Sequence, residues 1–447
     1  MEFFSAMRRG ASLIACCSML FASAQAQEVL TLEKCLNLGI ENNLSLQTKR
    51  NEIQKGKYGI SENRSRLLPQ INGFANFNDN FDPPVSVTDG SSYGVPYNVT
   101  HTLQYNASAG FQLQLPLYNQ TAYTAMSIAR TMDNIYKLSY EKAREDLIVE
   151  ISKIYYLGQT TAEQINLVKA NIKRLEELKS ISEAFYDNGM AMEVDVKRVS
   201  INLENLQVQY DNAQAMLKQQ LNMLKYMIEY PADTDIALEP IDTENINTAR
   251  PTGLSEDLYE LQLSKTQVNL AEKQRKMVNQ GYIPSINLSG SLAFTAYTDK
   301  AKHWFESHPS NQWYRSCGLG VSVRVPIFDG LNKKFRNNKA KLDIQTAKIN
   351  LENARKHLET QYLNATNDLM NSRRNFEKQK DNYLLAEDVY TVTSDRYKEG
   401  IASMTEVLQD EMKMSEAQNN YISAHYSYRV TNLLLLKLTG ELETLNN

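Results

Sequence analysis

The chain has 447 residues with only 11 Pro and 18 Gly, is rich in Asn, Gln, Lys, Glu, Leu and Ala, and carries a net charge of −4. So few breakers in a polar, Leu- and Ala-rich chain fit long helices with broad wetted faces rather than two or three ordinary globules. A charge so near neutral, with no Lys/Arg cluster, argues against a nucleic-acid partner.

Residues 1–26 read as an export signal. Arg8 and Arg9 form a basic start, an apolar core follows from Ala11 to Phe21, and Ala24-Gln25-Ala26 offers a small-x-small cleavage site. Leu13-Ile14-Ala15-Cys16 offers a competing site that would leave Cys16 acylated, although only about six residues separate it from Arg9, short for a signal core. On either reading the chain is exported, and the apolar stretch is too short to anchor it across a bilayer. Beyond the signal, Cys35 and Cys317 fall in a helix-like and a strand-like segment. They make no disulfide framework and read as small buried apolar side chains. No later apolar run is long enough for a transmembrane helix, which leaves a soluble protein or a β-barrel.

A first helix is expected over Leu32–Leu67, and a first strand after Pro69. The loop FDPPVSVTDGSSYGVPYN has the Pro, Gly, Ser and Asp content that opposes regular structure. In the second strand Leu103, Tyr105, Ala107, Ala109, Phe111, Leu113 and Leu115 alternate with polar or small residues. Strict period two predicts one apolar face and one wet face. At Pro116 the strand turns a corner into a helix expected to last to Tyr186, a length on the order of 100 Å. Ile151, Ile154, Gly158, Thr161, Ile165, Val168, Ile172 and Leu175 step through it at a coiled-coil period, with Gly158 and Thr161 weakening the seam. A returning helix is expected over Glu193–Tyr230.

The second half repeats this plan. LLPQING returns as YIPSINL, LPLYN as VPIFD, and FYDNGMAMEVDV as RYKEGIASMTEV. All three matches keep an offset of about 210–215 residues, the mark of an internal duplication. The repeats span 27–230 and 252–440, joined by a Pro- and Asp-containing linker over 231–251 and followed by a short tail, 441–447. The second repeat should place a helix over Leu254–Gly281, strands on either side of the loop DKAKHWFESHPSNQWYR, a corner at Pro326, a long helix over Leu331–Tyr397 and a returning helix over Thr405–Leu438. Cys317, Leu319, Val321, Val323 and Val325 alternate with Gly318, Gly320, Ser322 and Arg324, again a two-faced strand.

Two consequences follow. Gly189 and Gly400 can take the left-handed conformation that ends a helix and turns the chain back. Four strands cannot close a membrane barrel, whose smallest form needs about eight, and lipid does not tolerate an open sheet edge. If the sheet lies in a membrane rather than half-buried in a soluble protein, several copies must therefore pool their strands, and three copies give twelve.

LTLEKCLNLGIENNLSLQ followed by LLPQI, the LPLYN and VPIFDG corners and the paired Tyr-x-x-Gly hinges resemble the TolC-type outer-membrane efflux proteins. The resemblance covers essentially the whole chain after the signal. It implies a mainly α fold with β: four strands per protomer in a twelve-stranded transmembrane β-barrel of a homotrimer, and a long α-helical barrel crossing the periplasm. It also implies the role of exit duct for a tripartite efflux or type I secretion system, with a periplasmic adaptor and an inner-membrane pump as partners and outer-membrane lipid around the strands. Asp195 and Tyr397 fall on positions that pair at the periplasmic gate of similar proteins, and Glu406 on the first position of an acidic ring. Gln409 stands at the second acidic position and Ala402 at a basic one, so part of that gate is missing. A plainer reading has Asp195 and Glu406 merely favouring helix N-termini. Met190, Met192, Ile401 and Met404 at the hinges form either an adaptor-docking surface or a contact buried between hairpins.

No nucleophile elbow, phosphate loop or zinc spacing is present, so neither catalysis nor a cofactor or metal is expected. His303 and His308 flank an aromatic loop at a spacing that suits no ligation. Tyr105, Tyr118, Tyr297, Trp304 and Trp313 suit interfacial girdles. The competing function is a structural or adhesive periplasmic coiled coil without a pore, which has no use for duplicated alternating strands.

Overall fold

The computed structural model describes residues 28–101, 103–241, 248–300 and 312–446. The export signal with Cys16, part of the linker, and the loop carrying His303, Trp304 and His308 lie outside the described residues. The first half runs β1 (Glu28–Leu30), α1 (Leu32–Asn42), α2 (Leu44–Ser65), β2 (Gln70–Asp79), β3 (Val85–Asp89), β4 (Tyr97–His101), β5 (Tyr105–Tyr118), α3 (Gln120–Asp187) and α4 (Glu193–Ile228). The second runs β6 (Ile236–Leu238), α5 (Tyr259–Gln280), β7 (Ser285–Thr298), β8 (Trp313–Arg324), α6 (Asn332–Lys398) and α7 (Met404–Thr439). Contacts divide these into two compact units, one of Arg50–Ser139 with Glu260–Ala354, the other of Met1–Lys49, Tyr140–Tyr259 and Arg355–Asn447.

The first unit holds an antiparallel sheet of order β2-β5-β7-β8, so β2 and β8 are its open edges. Register places Ile71 opposite Leu113, Phe77 opposite Ala107, Phe294 opposite Ala109 and Val321 opposite Leu288, all on one face. The other face carries Asn72, Ser108, Gln112, Ser289 and Ser322 by the same alternation. Among the described residues most of the apolar face is left uncovered. Ile71 is 69 % exposed and Leu319 78 %. Such a surface is stable only against a nonaqueous neighbour, and the strand lengths and alternation match a lipid-facing barrel wall. Cys317 sits exposed on this face rather than buried, because the face points away from any core of its own chain.

Two further expectations are corrected here. The loop after β2 contains a hairpin, in which β3 and β4 pair from Val85↔His101 to Asp89↔Tyr97. Its Val-rich arms outweigh the turn residues, which gather instead between them. The corners also lie three residues past the prolines. Pro116 is inside β5, at a register shift between Pro116 and Tyr118, and Pro326 lies between β8 and α6. α3 starts directly after Asn119, whose Oδ1 accepts the Ala122 amide (3.1 Å), and α6 starts three residues past Asp329, whose Oδ2 accepts the Lys333 amide (3.0 Å).

In the second unit β1 and β6 form a parallel pair, which stitches the start of the first repeat to the linker. The expected single opening helix is broken at Asn43. Its Oδ1 accepts the Ser45 and Leu46 amides and its Nδ2 donates to the Met227 carbonyl (2.9 Å). One side chain thus caps α2 and ties the break to α4. Within α3, residues 151–159 are a dock rather than a helix–helix seam. An added Cβ at Gly39 of α1 would lie 2.3 Å from Ile151, and one at Gly158 would lie 2.6 Å from Leu238 of β6. Tyr155 Oη donates to the Leu30 carbonyl (2.9 Å) and Gln159 to that of Glu239 (2.9 Å). The small residue that weakens the coiled-coil period is the notch that admits the strand pair.

Cys35 is buried here, and desolvation pushes its thiol up to about 12, leaving it unreactive. The tail is packed rather than loose, since Leu442 is buried. Nearby, Glu145 lines a cavity of about 310 Å³ with Arg144, Ser255, Asp257 and Tyr259. Desolvation raises its carboxyl to about 7 against the pull of Lys437. A carboxyl raised on folding holds its proton in the native state over a range where the unfolded chain has lost it. Its penalty is therefore absent near pH 4 and complete above about pH 7. Glu145→Gln is expected to raise the melting temperature at pH 8 and leave it unchanged at pH 4. An equal shift at both values would assign the effect to packing.

Candidate functional site at the helical hairpins

The long helices α3 and α6 each end in a glycine with positive φ, +71° at Gly189 and +77° at Gly400. The backbone closes identically in both. Met190 donates to the Phe185 carbonyl (2.8 Å) and Gly189 to that of Tyr186 (2.9 Å), while Ile401 donates to Arg396 (2.8 Å) and Gly400 to Tyr397 (2.9 Å). These paired bonds satisfy the last carbonyls of a helix, and any residue with a Cβ is strained at the left-handed position.

The outgoing ends differ. Ser403 and Glu406 form a reciprocal cap, with the Ser403 amide donating to Glu406 Oε2 (2.7 Å) and the Glu406 amide to Ser403 Oγ (3.3 Å). The Ser403 backbone bond holds the Glu406 carboxyl below the usual carboxylate range, with the Ser403 hydroxyl adding to it. Glu406 is thus turned onto its own helix. The first hairpin has Met192 at the equivalent place, with no side-chain cap.

Asp195 and Tyr397 do not hydrogen-bond to each other within the chain. Asp195 Oδ1 accepts from Arg198 Nη1 (3.3 Å), and the same nitrogen donates to Thr405 Oγ1 (3.1 Å), joining the two hairpins. Tyr397 is buried against Phe185, with ring centroids 5.6 Å apart. Its hydroxyl lies beside that of Ser182, yet neither makes a hydrogen bond among the described residues. Burial raises the Tyr397 phenol and the Asp195 charge adds to the effect, while Ser182 opposes it. Sequence reading missed Arg198, whose signal was its place one turn after Asp195.

Of the hinge apolars, Met190, Met192 and Ile401 are exposed, whereas Met404 is buried with Val407 and Leu408 in the hairpin core. Asp410 accepts from Thr393 Oγ1 (2.8 Å), a bond from α6 to α7. Deeper between the helices, Asn171 Nδ2 donates to Gln418 Oε1 (2.7 Å). Near this layer Glu411 is 4 % exposed, and one of its carboxylate oxygens has no partner. Buried polar layers of this kind hold helices to one register.

The model of the family described as outer membrane efflux protein matches residues 35–228 and again 258–441. The chain belongs to the outer membrane efflux protein family. Its place is accordingly the outer membrane, with the helices extending into the periplasm. The chain is 22 % identical over 315 residues to outer membrane protein TolC of Vibrio cholerae, a match covering 67 % of this chain and 66 % of that one. It is 25 % identical over 231 residues to the probable efflux pump outer membrane protein TtgC of Pseudomonas putida, covering 47 % of this chain and 46 % of the relative. The chain thus spans about half to two thirds of these relatives' lengths. The crystal structure of the outer membrane protein VceC from Vibrio cholerae superposes with a TM-score of 0.74 at 15 % identity, covering 92 % of this chain and 97 % of that one, and shares the fold. Family and fold favour the outer-membrane reading over the poreless coiled coil.

Proposed function

We propose that the protein is the passive outer-membrane exit duct of an efflux or type I secretion system. It works as a homotrimer with a periplasmic adaptor and an inner-membrane pump, which supply the energy; the duct itself performs no chemistry. The observation that carries this reading is the four-stranded sheet, with both edges open and its apolar face uncovered. Backbone groups at an edge cannot stay unpaired in lipid, and joining β8 of one copy to β2 of the next removes every edge. The hairpins form the periplasmic gate, where Arg198 ties them together, Asp195 orients Arg198, and Tyr397 locks α6 against α3. Glu406 acts by holding its helix end rather than as a free acidic ring member. Gly189, Met190, Gly400 and Ile401 present the adaptor with two like knuckles.

The trimer is tested by native mass spectrometry in mild detergent, where a monomer would count against the proposal. The gate is tested in planar bilayers. Arg198→Ala, and Asp195→Ala combined with Tyr397→Ala, are expected to raise single-channel conductance several-fold. Conductance equal to wild type in both would remove these residues from the gate.

A further inference from the structure

On the apolar face of the sheet, β8 contributes Val323, Val321, Leu319, Cys317, Arg315 and Trp313, read from the end that leads into α6. One member of that line is charged. Register sets Arg315 opposite Phe294, Phe294 opposite Ala109 and Ala109 opposite Ala75, so the rest of its row is apolar. Arg315 is exposed, and among the described residues it has no ion pair. The other charged strand residue on this face, Asp79, ends β2 and accepts from Gln104 Nε2 (3.0 Å).

The aromatic residues fix the level of Arg315. Tyr118 shares a row with Ile286 and Val323 at the helical end of the sheet. Trp313 closes the β8 line roughly 33 Å further along the strand. A strand tilted by about 40° converts that to roughly 25 Å along the membrane normal, the height of a lipid-facing band between its aromatic girdles. Arg315 lies one pleat inside the Trp313 girdle. The helices extend into the periplasm and follow the Arg324 end of β8, so the Trp313 end faces away from the cell.

We infer that Arg315 binds the phosphate of a lipid headgroup in the outer leaflet of the membrane. The inference rests on the outer-membrane reading above and names a lipid that the barrel wall selects. Three features select this ligand. A guanidinium is costly at the lipid midplane and nearly free close to the interface, where a long side chain lifts its head while the stem stays on the apolar wall. The planar fork matches two phosphate oxygens and stays charged at any physiological pH. A water-borne anion would have to cross Trp313 and the apolar row to arrive. A lipid brings its phosphate to that level with its chains lying along Leu292, Leu319 and Val321.

The test incubates the full chain, in mild detergent, with phosphorylated lipid A and counts retained lipids by native mass spectrometry. Arg315→Leu is expected to weaken retention about tenfold, the value of a charge-assisted contact. It should leave the folded form intact, because it removes a charge from an apolar face. Arg315→Lys, which keeps the charge without the fork, should retain an intermediate amount. Dephosphorylated lipid A should bind wild type no better than phosphorylated lipid A binds the Leu variant, and inorganic phosphate should displace nothing. Equal retention by wild type and Arg315→Leu would overturn the inference. So would displacement by inorganic phosphate, or loss of the folded form in Arg315→Leu, which would assign the residue to assembly. Asp79→Asn loosening the oligomer as much as Arg315→Leu, with lipid retention unchanged in both, would replace the lipid by a second copy's carboxylate. A wild-type chain that fails to insert into bilayers would instead sink the membrane reading beneath it.

Discussion

Leu319→Arg is expected to keep the protein out of the outer membrane. Leu319 is near the middle of β8 and points from the apolar face of the sheet. A charge at the lipid midplane costs about 2–4 kcal/mol in a barrel wall, and the proposed trimer would incur that cost three times. Ser322→Arg on the opposite face is the matched control, because Arg324 already occupies that face. Fractionation and resistance of the folded form to sodium dodecyl sulfate check the pair. Normal insertion of the Leu319 variant would mean that this face does not meet lipid.

Ile151→Ala carries the second large effect. Ile151 is fully buried, and its side chain fills the space that Gly39 leaves open where α1 meets α3. Deleting its outer carbons leaves a cavity, and such deletions cost about 2–5 kcal/mol. The neighbourhood cannot collapse easily, because the Tyr155–Leu30 and Gln159–Glu239 bonds pin the strand pair on the same stretch of α3. For a unit of this size a loss of that order lowers the melting temperature by roughly 5–15 °C. Glu150→Ala, on the exposed side of the same turn, should change little. A melting temperature unchanged in Ile151→Ala would show that the dock contributes nothing.

Much of this architecture was legible in the sequence because its signals are local. Alternation along β5 and β8 needs only a dozen residues to be seen. The ends of α3 and α6 stand where Gly189 and Gly400 interrupt a long run without breakers. What escaped depends on distant partners. The three-residue strands β1 and β6 have no pattern of their own and pair across some two hundred positions. Asn43 reads as an ordinary helical residue until Met227 is seen to accept from it. Prolines marked the corners, but the helices wait for Asn119 and Asp329, whose carbonyl and carboxylate oxygens satisfy the first free amides. At the hairpins Asp195 and Glu406 looked alike from their place after the hinge. Only the fold separates them, one tied to Arg198 and the other folded onto Ser403.

The unequal starts of α4 and α7 have a thermal consequence. A reciprocal serine–glutamate closure is worth about 1 kcal/mol over an unaided start. Duplication therefore left twin loops of unequal stiffness, and the one beginning at Met192 frays first on warming. Around a closed ring of three chains, firm and soft corners would alternate, so thermal breathing at the periplasmic mouth would have threefold rather than sixfold symmetry.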